Sequence, residues 1–220
     1  MAPPSTRRQH EQIHTSPTRL CLHGLVFLYK IVKSGSMAEV QNNQLFYPKS
    51  VSFDEEKFTL LLHIDDAAVN FDNISDIAAQ NGFDKKNKFH ITVIGFKNGA
   101  AIQRVLDELP RDEKQKILQH IRSLVARADW GFTFLPERYH IAKNYSFRSG
   151  ATMATEHRES YIQLVSMPDM ITFYDALNSA LGIRLEPPPP HVTLYTKGNT
   201  MGIGINSQEE FLKLNPKLIS

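Results

Sequence analysis

Two short segments of the 220-residue chain carry side chains of the kind that move protons. His90-Ile91-Thr92-Val93 and His191-Val192-Thr193-Leu194 both read His, apolar, Thr, apolar. On a strand, successive side chains point to opposite faces, so each His shares a face with its Thr about 6–7 Å away. Ile91, Val93, Val192 and Leu194 then face a core. One such segment alone reads as a strand histidine beside a β-favouring threonine. Two of them, in a chain with only nine histidines, call for a joint reading. Cleaving a phosphodiester takes one group to deprotonate the attacking oxygen and another to protonate the departing one. Imidazole, with an ordinary pKa of about 6.5, serves in either role. An in-line displacement places the two on opposite sides of phosphorus. Threonine hydroxyls can donate to the non-bridging oxygens, where charge gathers in the transition state. Such chemistry demands neither metal nor cofactor. The spacing does not say which histidine is the base and which the acid, because the two motifs are alike.

Four neighbours are candidates to hold a substrate. By strand parity Tyr195 shares the face of His191 and Thr193, and Phe96 that of His90 and Thr92. An aromatic ring there can stack on a nucleobase, worth about 1–3 kcal/mol. Lys97 and Lys197 follow the two motifs at similar distances and are placed to hold a terminal phosphate. The plainer readings are half-buried edge aromatics and solvated turn lysines. His63, His120, His140 and His157 show no metal-ligand spacing and are read as structural. His10-Glu11-Gln12-Ile13-His14 spells a zinc-protease helix pattern, but it lies between Pro3-Pro4 and Ser16-Pro17 with no apolar stripe to dock a helix. It is read as an accident. Pro187 to Pro190 has the spacing of a polyproline ligand, and its place just before a motif reads as a stiff lead-in.

The elements that must position these residues alternate along the chain. Residues 58–64 and 89–96 read as strands, the first closed by Asp65-Asp66 and the second by Lys97-Asn98-Gly99. A helix is expected over 100–109. A longer one follows Pro110, with Ile117, Leu118, Ile121, Leu124 and Val125 on one face. Residues 130–135 and 160–166 read as further strands. Asp169 stands at a helix start and Gly182 at its stop. Residues 191–196 read as the second motif strand, 202–205 as a short strand, and 208–214 as a closing helix. Strands with few helices between them indicate the α+β class, in two comparable halves.

Composition narrows the classes. The chain is 41% hydrophobic and 22% charged, an ordinary balance for a soluble globular protein. The single cysteine, Cys21, excludes a disulfide framework and a thiolate zinc site. No apolar run reaches the roughly 18 residues of a membrane span. Residues 1–36 hold Arg7, Arg8, Arg19, Lys30 and Lys33 against Glu11, so the rest of the chain is mildly acidic. Such a body does not suit a duplex nucleic-acid coat, which needs a basic face, but it does suit a small phosphorylated ligand. The Pro-, Ser- and Arg-rich start sets residues 1–50 apart as an extension, disordered or targeting, before a domain at 51–220. A cytoplasmic protein is expected, or an organellar one if residues 1–36 act as a transit segment.

The paired motifs resemble those of the two-histidine (2H) phosphoesterase superfamily, which includes 2′-5′ RNA ligase-like proteins and cyclic phosphodiesterases. The resemblance covers residues 55–215, and both motifs are complete. It implies a bilobal fold of two pseudo-symmetric β-α lobes, with antiparallel sheets facing a central cleft. It also implies a metal-independent, cofactor-free phosphodiesterase with His90, Thr92, His191 and Thr193 as catalytic residues. Its substrates would be 2′,3′-cyclic phosphate RNA ends or nucleotides, or ADP-ribose cyclic phosphate. A monomer acting on such a small nucleotide or RNA end is expected. Ligation of RNA ends in the reverse sense, and a binding module without turnover, are the competing readings.

Overall fold

Eight strands and five helices follow one another in a computed structural model that describes residues 44–150 and 152–219. The elements are β1 (Ser50–Asp54), β2 (Thr59–Ile64), α1 (Ser75–Gln80), β3 (Asp84–Lys85), β4 (Phe89–Ile94), α2 (Phe96–Asp107), α3 (Arg111–Arg127), β5 (Thr133–Ser149), β6 (Thr152–Ser166), α4 (Asp169–Leu181), β7 (His191–Lys197), α5 (Gln208–Lys213) and β8 (Lys217–Leu218). The class is α+β, as expected. The expectations for residues 1–43, including the transit segment and the His10-to-His14 pattern, lie outside the described residues. Residues 44–50, by contrast, belong to the folded unit rather than to the extension. Phe46 exchanges backbone hydrogen bonds with Phe132 and packs its ring on Phe132 and Phe134.

All the strands join one antiparallel sheet in the order β1-β2-β4-β7-β6-β5-β8, with β3 on β7. The two motif strands, β4 and β7, are therefore hydrogen-bonded neighbours within one sheet. They meet through a single registered pair, Ile91 opposite Val192. Beyond it the edge of β7 is taken over by β3. The apolar alternation explains this layout. Leu60, Leu62, Phe89, Ile91, Val93, Val192 and Leu194 all lie on one face and are almost fully buried. They form the main core with Ile102 and Leu106 of α2, Ile121 of α3, and Phe173, Tyr174 and Leu177 of α4. Each such side chain contributes about 1.5–3 kcal/mol by leaving water. Since β4 and β7 feed the same layer of helices, their polar faces are turned the same way.

The second face has a smaller core. Ile162 and Leu164 of β6, with Ile141 of β5, pack under Ile203, Ile205 and Phe211. Residues 202–205, expected as a strand, make no sheet pairing and instead cross this face as an extended strap. The strap is tied down by Glu210, whose carboxylate accepts from the Asn206 backbone and side-chain amides at 2.8 Å and from Lys143. Ser207 caps α5 through the Glu210 amide. Helix α4 stops at Gly182, whose φ of 65° is the left-handed turn that glycine adopts freely.

Two further differences from the sequence reading have local causes. Strands β5 and β6 form one hairpin, paired from Thr133–Ser166 out to Ser149–Thr152 with one register shift between Phe134 and Arg138. Only its inner third was legible as strand, because its outer part has no core to face and so carries no apolar alternation. Strand β4 ends at Ile94, and Phe96 opens α2 with its ring 75% exposed. Gly99 draws α2 tight against the β1–β2 turn, where an added Cβ would lie 2.3 Å from the Lys57 carbonyl oxygen.

Candidate active site

The Ile91–Val192 pair sets the geometry of both motifs. Extending that antiparallel register by one residue on either side puts His90 opposite Thr193 and Thr92 opposite His191. Residues directly across from one another share a face, so all four point to the side away from the helices. The two histidines are then diagonal neighbours, an arrangement that sets Cα atoms about 7–8 Å apart, related to each other by the local two-fold of the antiparallel pair. The separation suits a tetrahedral phosphate held between two imidazoles.

A buried network fixes the two strands relative to each other. The Tyr174 hydroxyl of α4 donates to the Val93 carbonyl of β4 at 2.8 Å and accepts from Asn98 Nδ2 of α2 at 3.0 Å. Asn98 also donates to the Glu186 carbonyl, at the head of the proline run that leads into β7. Burial pushes the Tyr174 phenol well above its ordinary range, so it stays a hydroxyl. Thus the proline run is part of the machinery that aims His191, as its position before the motif suggested.

The two imidazoles sit in different surroundings. His191 is 8% exposed, not on the open polar surface expected for it. Its Nδ1 lies 2.8 Å from the Pro189 carbonyl oxygen. A carbonyl can only accept, so Nδ1 carries the proton and Nε2 has a free lone pair. Burial also lowers the pKa of this ring. His90 is half-buried and lines a groove of about 510 Å³ together with Asp84, Lys85, Lys86, Lys88, Thr196 and Thr200. Its pKa is pushed down to about 4, chiefly by burial and then by the charges of His63, Lys86 and His191.

Thr193 is covered by Gly202 of the strap, where an added Cβ would sit 2.9 Å from Thr193 Oγ1. Only glycine lets the strap pass this close. Thr92 lies beneath Gly95 and Asn206: a Cβ on Gly95 would meet Thr92 Cγ2 at 3.5 Å and Asn206 Oδ1 at 3.8 Å.

The outer candidates are not where strand parity put them. Across β6 and β7, Ile162 faces Thr193 while Tyr161 faces Tyr195, so one residue of β6 spans two of β7. This bulge reverses the parity of β7 after Thr193. Tyr195 turns to the helical face, where its hydroxyl lies 3.0 Å from Ser75 Oγ and its ring meets Phe71 and Tyr161. Lys197 goes with it, 3.6 Å from Glu159 and above the Phe83 ring. Thr196 takes the place on the motif face instead and is buried. Phe96 and Lys97 are exposed in the first turn of α2, outside the groove. The register puts the motif quartet on one face, and the four flanking candidates do not join it.

The sequence reading missed a third imidazole. His63 of β2 is in register with His90, with ring centroids 6.3 Å apart at 65°. The only sequence signal was its parity in an apolar strand, and that signal means nothing until β2 is known to pair with β4. His90→neighbour coupling gives a direct check. Histidine NMR titration of the protein is expected to place His90 near pH 4, and His63→Ala to move it upward by removing a like charge. An unmoved His90 in that variant contradicts the coupling. Because the folded value lies below the ordinary 6.5, unfolded chains take up this proton first as pH falls. Stability is therefore lost on going from about 6.5 down to about 4, and His90→Gln flattens that decline.

Among the described residues no group of His, Cys, Asp and Glu could hold a metal, and no helix is long and apolar enough to cross a membrane. Comparison with protein-family models, with curated proteins and with solved structures finds no match to the chain.

Proposed function

We propose that the protein is a metal-independent phosphodiesterase of the two-histidine type, acting on cyclic phosphates at the ends of RNA or on nucleotides. The observation that carries this reading is the Ile91–Val192 register, which brings two imidazoles and two threonine hydroxyls onto one face in two-fold relation. On this reading the halves β1 to α2 and β5 to α5 are pseudo-symmetric lobes, joined at the narrow β4–β7 seam with the cleft above it.

His191 acts as the base in hydrolysis, since its Nε2 has the free lone pair. A water placed beside phosphorus gives its proton to His191 Nε2 as its oxygen forms the new P–O bond. His90 protonates the departing ribose oxygen as the old P–O bond breaks, leaving a phosphomonoester. Solvent returns the proton from His191 and reloads His90. The bound phosphate's negative charge favours the protonated His90 that this step needs, offsetting the burial that keeps it neutral in the free protein. Thr92 and Thr193 donate to the non-bridging oxygens. Losing either hydroxyl, as in Thr92→Ala or Thr193→Ala, is expected to lower kcat by about 10²–10³-fold with a smaller change in KM.

The reading is tested by incubating the purified chain with 2′,3′-cyclic nucleotides and cyclic-phosphate-ended oligoribonucleotides, with and without EDTA, and following products by phosphorus NMR. Turnover to a phosphomonoester that persists in chelator is the expected result. Silence on every such substrate, or turnover that chelation abolishes, refutes it.

A further inference from the structure

The groove that His90 lines is larger than one phosphate requires. At about 510 Å³ it has the volume of a site for a whole small ligand. It is lined by the β3–β4 turn, which presents Lys86 and Lys88, and by Thr196 and Thr200. Lys86 Nζ donates to the Thr200 carbonyl at 2.5 Å, which holds the ammonium across the groove. Among the described residues neither Lys86 nor Lys88 has a carboxylate within ion-pair distance. The single carboxylate lining the groove is Asp84, in register with Thr196 on β7. Two uncompensated ammonium groups against one carboxylate leave the groove positive, although the folded body as a whole carries a slight negative excess. Lys85, the last residue of β3, also lines the groove, but its Nζ is engaged 3.7 Å over the Phe71 ring.

We infer that this groove is a second anion subsite, with Lys86 and Lys88 holding a phosphate that flanks the reacting one. The inference rests on the proposed phosphodiesterase reading, and it sharpens the substrate class. The preferred ligand carries two phosphates on one nucleoside, as an oligonucleotide terminus does and a mononucleoside cyclic phosphate does not. Lysine serves this role as a point charge without bidentate geometry, so the subsite selects for charge at that distance rather than for a base.

Calorimetric titration of the full chain with adenosine 3′,5′-bisphosphate and with adenosine 3′-monophosphate tests this without any need for turnover. The bisphosphate is expected to bind at least about tenfold more tightly, the scale of one well-placed charged contact. Lys88→Ala is expected to bring the ratio of the two affinities close to one, with Lys86→Ala acting in the same direction. Lys85→Ala removes the same formal charge one residue away, from an ammonium held over the Phe71 ring, and is expected to leave the ratio in place. Equal affinities in the unaltered protein, no binding of either probe, or a ratio that falls equally in all three variants overturns the subsite. Failure of the cyclic-phosphate assay with the bisphosphate preference intact removes the reaction and keeps the subsite. Turnover with no preference does the reverse.

Discussion

His191→Asn is expected to cost about 10²–10⁴-fold in kcat while leaving the fold in place. Asparagine is the informative replacement because its amide can donate to the Pro189 carbonyl as Nδ1 does now, at 2.8 Å. The variant thus keeps the buried hydrogen bond and loses only the Nε2 lone pair. His191→Ala, by contrast, leaves a buried carbonyl without its partner and costs stability as well. His90→Gln is expected to fall by a similar factor. Because base and acid act in one displacement, the double variant should be scarcely slower than either single one. Steady-state kinetics with a thermal melt of each variant decides the matter. Near-normal turnover in His191→Asn would show that the free lone pair is not the base, and additive losses in the double variant would show that the two rings do not serve one step.

The second large effect is on the seam. Ile91→Ala removes a fully buried side chain from the one registered pair that joins the motif strands. Truncations of this kind cost about 2–5 kcal/mol, which in a domain of this size lowers Tm by on the order of 10 °C. Activity should drop further than the unfolded fraction explains, measured well below the new Tm, because the diagonal spacing of His90 and His191 depends on that pair. Ile91→Val keeps the β-branched shape and should lose only about 0.5–1.5 kcal/mol with kcat nearly intact. Equal losses of kcat in the two variants, or full activity of the folded Ile91→Ala protein, would disconnect the seam from the site.

The local pattern of the chain determined more than its elements. The alternation at 89–94 and 191–196 fixed which side chains of each motif face a core, and Ile91, Val93, Val192 and Leu194 are all fully buried. It also fixed that each His keeps its Thr as a face-mate, since that relation spans only two residues of one strand. Helix boundaries at Pro110, Asp169 and Gly182 were equally local and came out within a few residues.

What involves two strands at once could not be read that way. Tyr195 and Lys197 left the motif face because of a bulge that exists only against β6, and Thr196 replaced them. Phe96 left because β4 gives way to a helix whose packing against Lys57 and Phe58 lies outside the motif. His63 joined His90 through a pairing between strands 27 positions apart. Strand side chains obey a period of two within a segment, but partner, register and bulges are chosen by the packing of the whole sheet. The chain by itself therefore supplied the chemistry of the four motif residues, and only the tertiary structure decided what stands beside them, through a pairing free energy summed over many distant contacts.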